Sequence, residues 1–242
     1  MNTQNLDLGY LAYPDADTPL PGVVLIHDVW GLGEHPRDLA RRLAAEGFAV
    51  LAVDLYRRFE GVDIDDVGAW IRELDDPQVL EDLRMAARAL EAHPSVAGGP
   101  VGLIGFCMGG MYVVLGACLC AEFSAAVPFY GLLSHQHGML HAEQGLDPAL
   151  KPHEPLAVAS ELGCPLLGFF GAEDAMVPVD DVRALEASFA GTQHASEIVV
   201  VEGAGHAFMN DTRPDAYREA SAREAWTRMV AFLGETLSAA AD

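Results

Sequence analysis

A thiol, a carboxylate and an imidazole with the settings needed for acyl transfer occur along the chain in the order Cys107, Asp174, His206. Cys107 is the centre of Gly105-Phe-Cys-Met-Gly109, which lies between an apolar run, Val101–Gly105, and an apolar helical stretch. G-x-C-x-G is the cysteine form of the G-x-S-x-G nucleophile elbow. On such a strand-to-helix turn the nucleophile stands above the sheet on a strained backbone. The positions two before and two after it crowd one another, so both must be small. The helix that follows puts its positive end at the sulfur, which favours thiolate. The same turn aims the Met108 N–H at an oxyanion formed by attack at sulfur. By itself the pentapeptide also fits a glycine-rich turn with a buried cysteine; its place between strand and helix favours the elbow. A dinucleotide loop is rejected, because there is no G-x-G-x-x-G and this is not the first turn.

In an elbow enzyme of this kind the acid and then the histidine follow the nucleophile in the chain. Asp174 stands in Gly171-Ala-Glu-Asp-Ala-Met-Val-Pro178, after the apolar run Pro165–Phe170. His206 stands in Glu202-Gly-Ala-Gly-His-Ala-Phe208, after Glu197–Val201. Asp174 would accept the Nδ1 hydrogen and turn Nε2 toward the sulfur. Glu173 is the neighbouring alternative acid. The chain has nine histidines, and order, spacing and the glycines beside it single out His206.

The elements that must carry these groups are legible as alternating apolar runs and helical patterns. Strands are expected at Gly22–His27, Phe48–Val53, Val101–Gly105, Ala125–Phe129, Pro165–Phe170 and Glu197–Val201, with Leu6–Tyr13 as an antiparallel edge. Their near-continuous hydrophobicity suits strands covered on both faces of a parallel sheet. Helices are expected near 36–46, 77–92, 108–121, 179–190 and 214–238. The alternation predicts a doubly wound, mostly parallel α/β sheet with helices on both faces, in a single domain over 1–242. The irregular stretch Leu132–Gly163 follows a strand whose end should border the ligand crevice, and reads as a lid or insertion.

Bulk properties narrow the function. Of 242 residues 51% are hydrophobic, enough for a sizeable core, and no apolar run approaches the roughly 18 residues that span a bilayer. The N-terminal segment has no basic region followed by an apolar one, so a cytoplasmic protein is expected. Thirty-six acidic against fourteen basic residues give a net charge of −22, and Lys151 is the single lysine. Such a surface repels nucleic acid and anionic lipid, and it also fits adaptation to high salt, where screening relieves self-repulsion. Cys118 and Cys120 lie on an apolar helical stretch as core residues, and the four cysteines do not suggest a disulfide framework. His135, His137, His141 and His153 lack a metal-binding spacing. No metal or cofactor is called for.

With these segments in hand, the chain resembles the dienelactone hydrolase (carboxymethylenebutenolidase) family from about Gly22 to Leu237. The resemblance is carried by His27-Asp-Val-Trp-Gly-Leu32, Asp54-Leu-Tyr-Arg57, Gly105-Phe-Cys-Met-Gly-Gly110, Phe129-Tyr-Gly131, Gly171-Ala-Glu-Asp174 and Gly203-Ala-Gly-His-Ala-Phe208. It implies an α/β-hydrolase fold and a thioester mechanism on a small-molecule ester or lactone. Cys107 would attack the carbonyl, and the N–H groups of Val29 and Met108 would hold the oxyanion. His206 would then activate water. Asp28 occupies the place of a family glutamate that bonds the resting thiol; it keeps the carboxylate but is one methylene shorter, and is otherwise a turn residue. Trp30, Tyr130 and Phe208 are expected to wall an apolar, aromatic pocket.

One departure bears on substrate. Family members that cleave dienelactone hold its carboxylate with arginines, one of them four residues after the histidine, where this chain has Asn210. Arg57 and Arg72 are candidate replacements. Losing a bidentate anchor would weaken binding of an anionic lactone, which favours a broad carboxylesterase or thioesterase as the alternative. A non-hydrolytic binding protein on the same scaffold is the third reading, disfavoured by the complete triad.

Overall fold

A computed structural model describes residues 1–96 and 98–239. The N-terminal segment is a hairpin, β1 (Asn2–Leu6) and β2 (Gly9–Tyr13), where the alternation suggested one edge strand. Asp7 and Leu8 make the turn. Then follow β3 (Gly22–Ile26), α1 (Glu34–Ala45), β4 (Ala49–Val53), α2 (Val67–Glu73), α3 (Asp76–Glu91), β5 (Val101–Phe106) and α4 (Met108–Leu119). The chain continues with β6 (Ala125–Phe129), α5 (Pro155–Val158), β7 (Leu166–Gly171), α6 (Val179–Phe189), β8 (Ser196–Val201) and α7 (Glu219–Ala239).

The eight strands form one sheet in the order β1-β2-β4-β3-β5-β6-β7-β8. β2 pairs antiparallel with β1 and β4, and every pairing from β4 to β8 is parallel. This is the α/β-hydrolase fold. Strands β3 to β7 are buried at every position, as continuous apolar strands covered on both faces must be. One face packs against α1 and α7 through Leu39, Leu43, Met229 and Leu233. The other packs against α2 to α6 through Ile71, Leu83, Val113 and Leu185.

Strand order reverses around β3, which has β4 on one side and β5 on the other. A crevice opens beyond the carboxyl ends of strands at such a point. The turns leaving β3, β5, β6, β7 and β8 carry Asp28, Cys107, Tyr130, Asp174 and His206 respectively. Five loops from one sheet edge thus deliver the predicted chemistry to one place.

The stretch Leu132–Gly163 is tied to the helical layer by buried anchors, and none of its residues lines the pocket beside Cys107. Lys151, buried on this segment, bonds Asp76 Oδ1 on α3 at 2.5 Å, and the Tyr112 hydroxyl on α4 donates to the same oxygen at 2.7 Å. Arg72 donates to Met139 O, and Glu154 accepts from the Ser134 hydroxyl. The last helix starts at Glu219, not near 214, because turns bonded to the Asn210 and Arg213 carbonyls occupy the segment before it.

Candidate active site

Cys107 sits between β5 and α4 with φ 56° and ψ −119°, a left-handed conformation for a non-glycine residue. Strain of this kind costs about 1–3 kcal/mol and persists only where the surroundings hold it. They do: the Cys107 N–H donates to Phe129 O, and Cys107 O accepts from the Met111 N–H in the first turn of α4. Gly105 must be small because it crowds Gly109, as expected, whereas Gly109 must be small because it crowds the end of β3. A Cβ on Gly105 would lie 2.5 Å from Gly109 O, and one on Gly109 would lie 2.5 Å from Ile26 O. Gly110 and Gly131 pack backbone to backbone, so the elbow also presses on the turn after β6. Tyr130 and Ala207, beside the same crevice, likewise have positive φ.

His206 Nδ1–H donates to Asp174 Oδ2 at 2.8 Å. Oδ1 of the buried Asp174 accepts the N–H groups of Met176 and Val177, which fixes the carboxylate. Glu173, the alternative acid, makes no such bond; its backbone N–H is paired with Ala204 O. The second imidazole nitrogen, Nε2, is buried without a hydrogen-bond partner among the described residues. Burial alone would lower the His206 pKa. The hydrogen bond to Asp174 and the neighbouring Cys107 sulfur override it and lift the imidazole to about 10. Burial pushes Cys118 and Cys164 up to about 12 and Cys120 to about 11, as inert thiols at or near the core.

Cys107, His206, Asp28, Val29, Trp30 and Tyr130 line one pocket. Trp30 is 60% exposed at its mouth, and Tyr130 is buried with its ring edge-on to His206, centroids 5.0 Å apart. Phe208 does not line it. It is fully buried behind Tyr130, ring centroids 5.5 Å apart, and supports that wall instead of forming it. Asp28 Oδ1 accepts the Trp30 N–H at 3.0 Å, so this carboxylate closes a local turn while facing the pocket. Met108 is the first residue of α4, where N–H groups have no partner inside the helix.

The two arginines considered as anchors are committed elsewhere. Arg57 and Arg58 both grip Asp82 at 2.5–2.6 Å, and their bonds hold its carboxyl below the ordinary range although burial would raise it. Arg72 is spent on Met139 O. The polar edge of the pocket is made instead by His35, Asn210 and Arg213, none of which the motifs pointed to as binding groups. Arg213 is half-exposed, and its ion pair with Asp215 is loose at 3.8 Å. Asn210 Oδ1 accepts from the Thr212 N–H and hydroxyl. Among the described residues no cluster of three or more His, Cys, Asp or Glu is arranged to hold a metal, and no helix is long and apolar enough to cross a membrane.

Comparison with known proteins shows which family the chain belongs to. A protein of Escherichia coli (strain K12) named "Putative carboxymethylenebutenolidase" is 34% identical over 230 residues, 91% of this chain and 79% of that one. A Bradyrhizobium protein named "Probable 2-oxo-3-(5-oxofuran-2-ylidene)propanoate lactonase" is 31% identical, covering 93% of this chain and 88% of its own length. Among solved structures, one from Klebsiella pneumoniae titled "Putative Dienelactone Hydrolase" superposes with a TM-score of 0.83 at 35% identity, covering 93% and 92% of the two chains. The dienelactone hydrolase-like promiscuous phosphotriesterase P91, from metagenomic libraries, superposes with a TM-score of 0.76 at 26% identity, covering 94% of this chain and 92% of its own. The profile described as the dienelactone hydrolase family matches residues 8–237. This chain belongs to the dienelactone hydrolase family, a family of hydrolases acting on small lactones and esters.

Proposed function

We propose that the protein hydrolyses a small ester or lactone through a thioester on Cys107. The supporting observation is the strained Cys107 at the head of α4, sharing a pocket with an imidazole already oriented by a buried carboxylate. The Cys107 sulfur attacks the substrate carbonyl carbon, and the N–H groups of Val29 and Met108 stabilise the resulting oxyanion. His206, raised to about 10, holds a proton near neutral pH and passes it to the leaving oxygen as the carbon–oxygen bond breaks. A lactone opens and stays attached by its acyl end; an ester releases its alcohol. Neutral His206 then takes a proton from water, hydroxide adds to the thioester, and the acid leaves with the Cys107 thiolate and protonated His206 restored. Asp174 keeps the imidazole in the Nδ1–H tautomer throughout. Asp28 adds a second carboxylate on the face of the pocket near the thiol.

Arg213 favours the lactonase reading over the general esterase. It gives the pocket a guanidinium whose closest carboxylate among the described residues is Asp215 at 3.8 Å, and the Asn210 amide lines the same pocket. A donor edge of that kind holds a carboxylate better than a neutral acyl chain. Initial rates for dienelactone and for a neutral p-nitrophenyl ester, with wild type beside Cys107→Ala, test the reading. Cys107-dependent turnover with dienelactone preferred is expected. Turnover of the ester alone would retain the mechanism and leave a general esterase, and turnover surviving in Cys107→Ala would overturn the mechanism.

A further inference from the structure

The loop leaving β3 carries Val29, and the peptide units on both sides of Val29 are held from the buried side. His27, the residue after β3, is 1% exposed. Its Nδ1 lies 2.5 Å from Asp28 O, and its Nε2 accepts the Leu55 N–H at 3.2 Å. A carbonyl only accepts and an amide only donates, so the ring is the neutral Nδ1–H tautomer. Burial, which lowers the imidazole pKa, keeps it neutral. The Asp28–Val29 peptide is trans, so its C=O and N–H point in opposite directions from one rigid plane. A bond that fixes the carbonyl therefore fixes the direction of the Val29 N–H. On the far side of Val29, the Tyr56 hydroxyl donates to Val29 O at 2.8 Å and lies 3.4 Å from Met108 Sδ. The His27 and Tyr56 rings pack edge to face, 4.9 Å apart.

We infer that His27 is a positioning residue for acyl transfer, aiming the Val29 N–H at the oxyanion through the Asp28 carbonyl. This rests on the acyl-enzyme reading above. Both ring nitrogens are spent on backbone groups, so His27 has none for substrate and acts through the loop. Gly31 N–H reaches the same carbonyl at 3.3 Å, a longer bond that holds it less firmly.

Two substitutions separate the two bonds. Asparagine places its Nδ2 where Nδ1 stands and can still donate to Asp28 O; glutamine places its Oε1 where Nε2 stands and serves only Leu55. With p-nitrophenyl acetate, His27→Asn is expected within about threefold of wild-type kcat. His27→Gln is expected to lose about 10- to 100-fold in kcat with KM little changed, since the oxyanion contact exists only in the transition state. Alkylation of Cys107 by iodoacetamide displaces iodide at a saturated carbon and develops no carbonyl oxyanion, so its rate should be unchanged in both variants. Wild-type kcat in His27→Gln, equal losses in the two variants, or alkylation falling in step with kcat would each overturn the assignment. Cys107→Ala run alongside keeps the two readings apart: activity surviving there overturns the acyl-enzyme reading and this inference with it, whereas Cys107-dependent turnover with any of those three results overturns His27 alone.

Discussion

The Asp174 carboxylate meets His206 Nδ1 at 2.8 Å with one oxygen while its other oxygen accepts two backbone N–H groups. It therefore cannot swing away from the imidazole without giving up three bonds, and the ring is held with Nε2 unbonded among the described residues. The same contact ties the site to stability. The folded-state pKa of His206 is raised, to about 10, above its ordinary 6.5. Its charged form is thus favoured by folding. That contribution is complete below about pH 6.5 and disappears as pH rises through about 10. The stability margin of wild type over His206→Gln, from urea unfolding, should shrink steadily between pH 6.5 and 10. A margin that stays flat or grows over that range would contradict the assigned coupling.

The elbow glycines predict a steep steric penalty. A Cβ at Gly109 meets the Ile26 and His27 carbonyls at 2.5 and 2.6 Å, both backbone atoms that cannot rotate aside. Gly109→Ala should destabilise the protein by about 2–4 kcal/mol and cut kcat at least about 100-fold in whatever remains folded. Thermal melts and initial rates check this. By contrast a Cβ at Gly191 meets nothing within 4 Å, so Gly191→Ala should match wild type in both. Equal behaviour of the two variants would refute the packing argument.

Arg213 should discriminate by substrate charge. Losing a charge-assisted bond costs about 1.5–3 kcal/mol, so Arg213→Gln should raise KM for dienelactone about 10- to 100-fold. KM for neutral p-nitrophenyl acetate should stay within about twofold. Parallel changes for both substrates would remove Arg213 from carboxylate recognition.

Lys151 should be structural. It is buried against Asp76, whose carboxyl burial pushes up and whose Oδ2 has no hydrogen-bond partner. Lys151→Met strands that carboxylate and should cost about 3–5 kcal/mol, whereas Lys151→Met with Asp76→Leu should recover part of the loss, the remainder reflecting the Tyr112 hydroxyl left without its acceptor. Urea midpoints of the three proteins decide it, and a double variant no more stable than Lys151→Met alone would contradict the pairing.

How much of this could be read beforehand depended on whether the signal was local. Strands β3 to β7 were legible because both faces are covered, leaving uninterrupted apolar runs, and β8, only partly covered, by its run Ile198 to Val201. The meeting of Asp174 with His206 beside Cys107 was anticipated from chain order and from the glycines in the turns that carry them. Helix α2 was missed. It has seven residues, too few for a repeating stripe, and its local signal was Asp66, whose side chain caps Ala69 N–H. Arg213 was missed because it sits seven residues beyond His206 on a stretch of turns, and only the folded path brings it back to the pocket. Leu132–Gly163 read as a lid or insertion, with no local signal to choose between them, because its anchors are long-range: Lys151 to Asp76 spans 75 residues. Phe208 was read as a wall because it is aromatic and two residues from His206; in the fold it is buried against Tyr130, whose ring takes that place.

The central claim is a thioester on Cys107, and its most direct test is to trap that species. Wild-type protein mixed with p-nitrophenyl acetate and quenched in acid within the first turnover should gain the mass of one acetyl group. Peptide mass spectrometry should place that group on Cys107, and its loss should follow the steady-state turnover rate. His206→Ala should prolong its lifetime, and Cys107→Ala should carry none. Turnover with no acetyl group on Cys107, or with the group on another residue, would contradict the account.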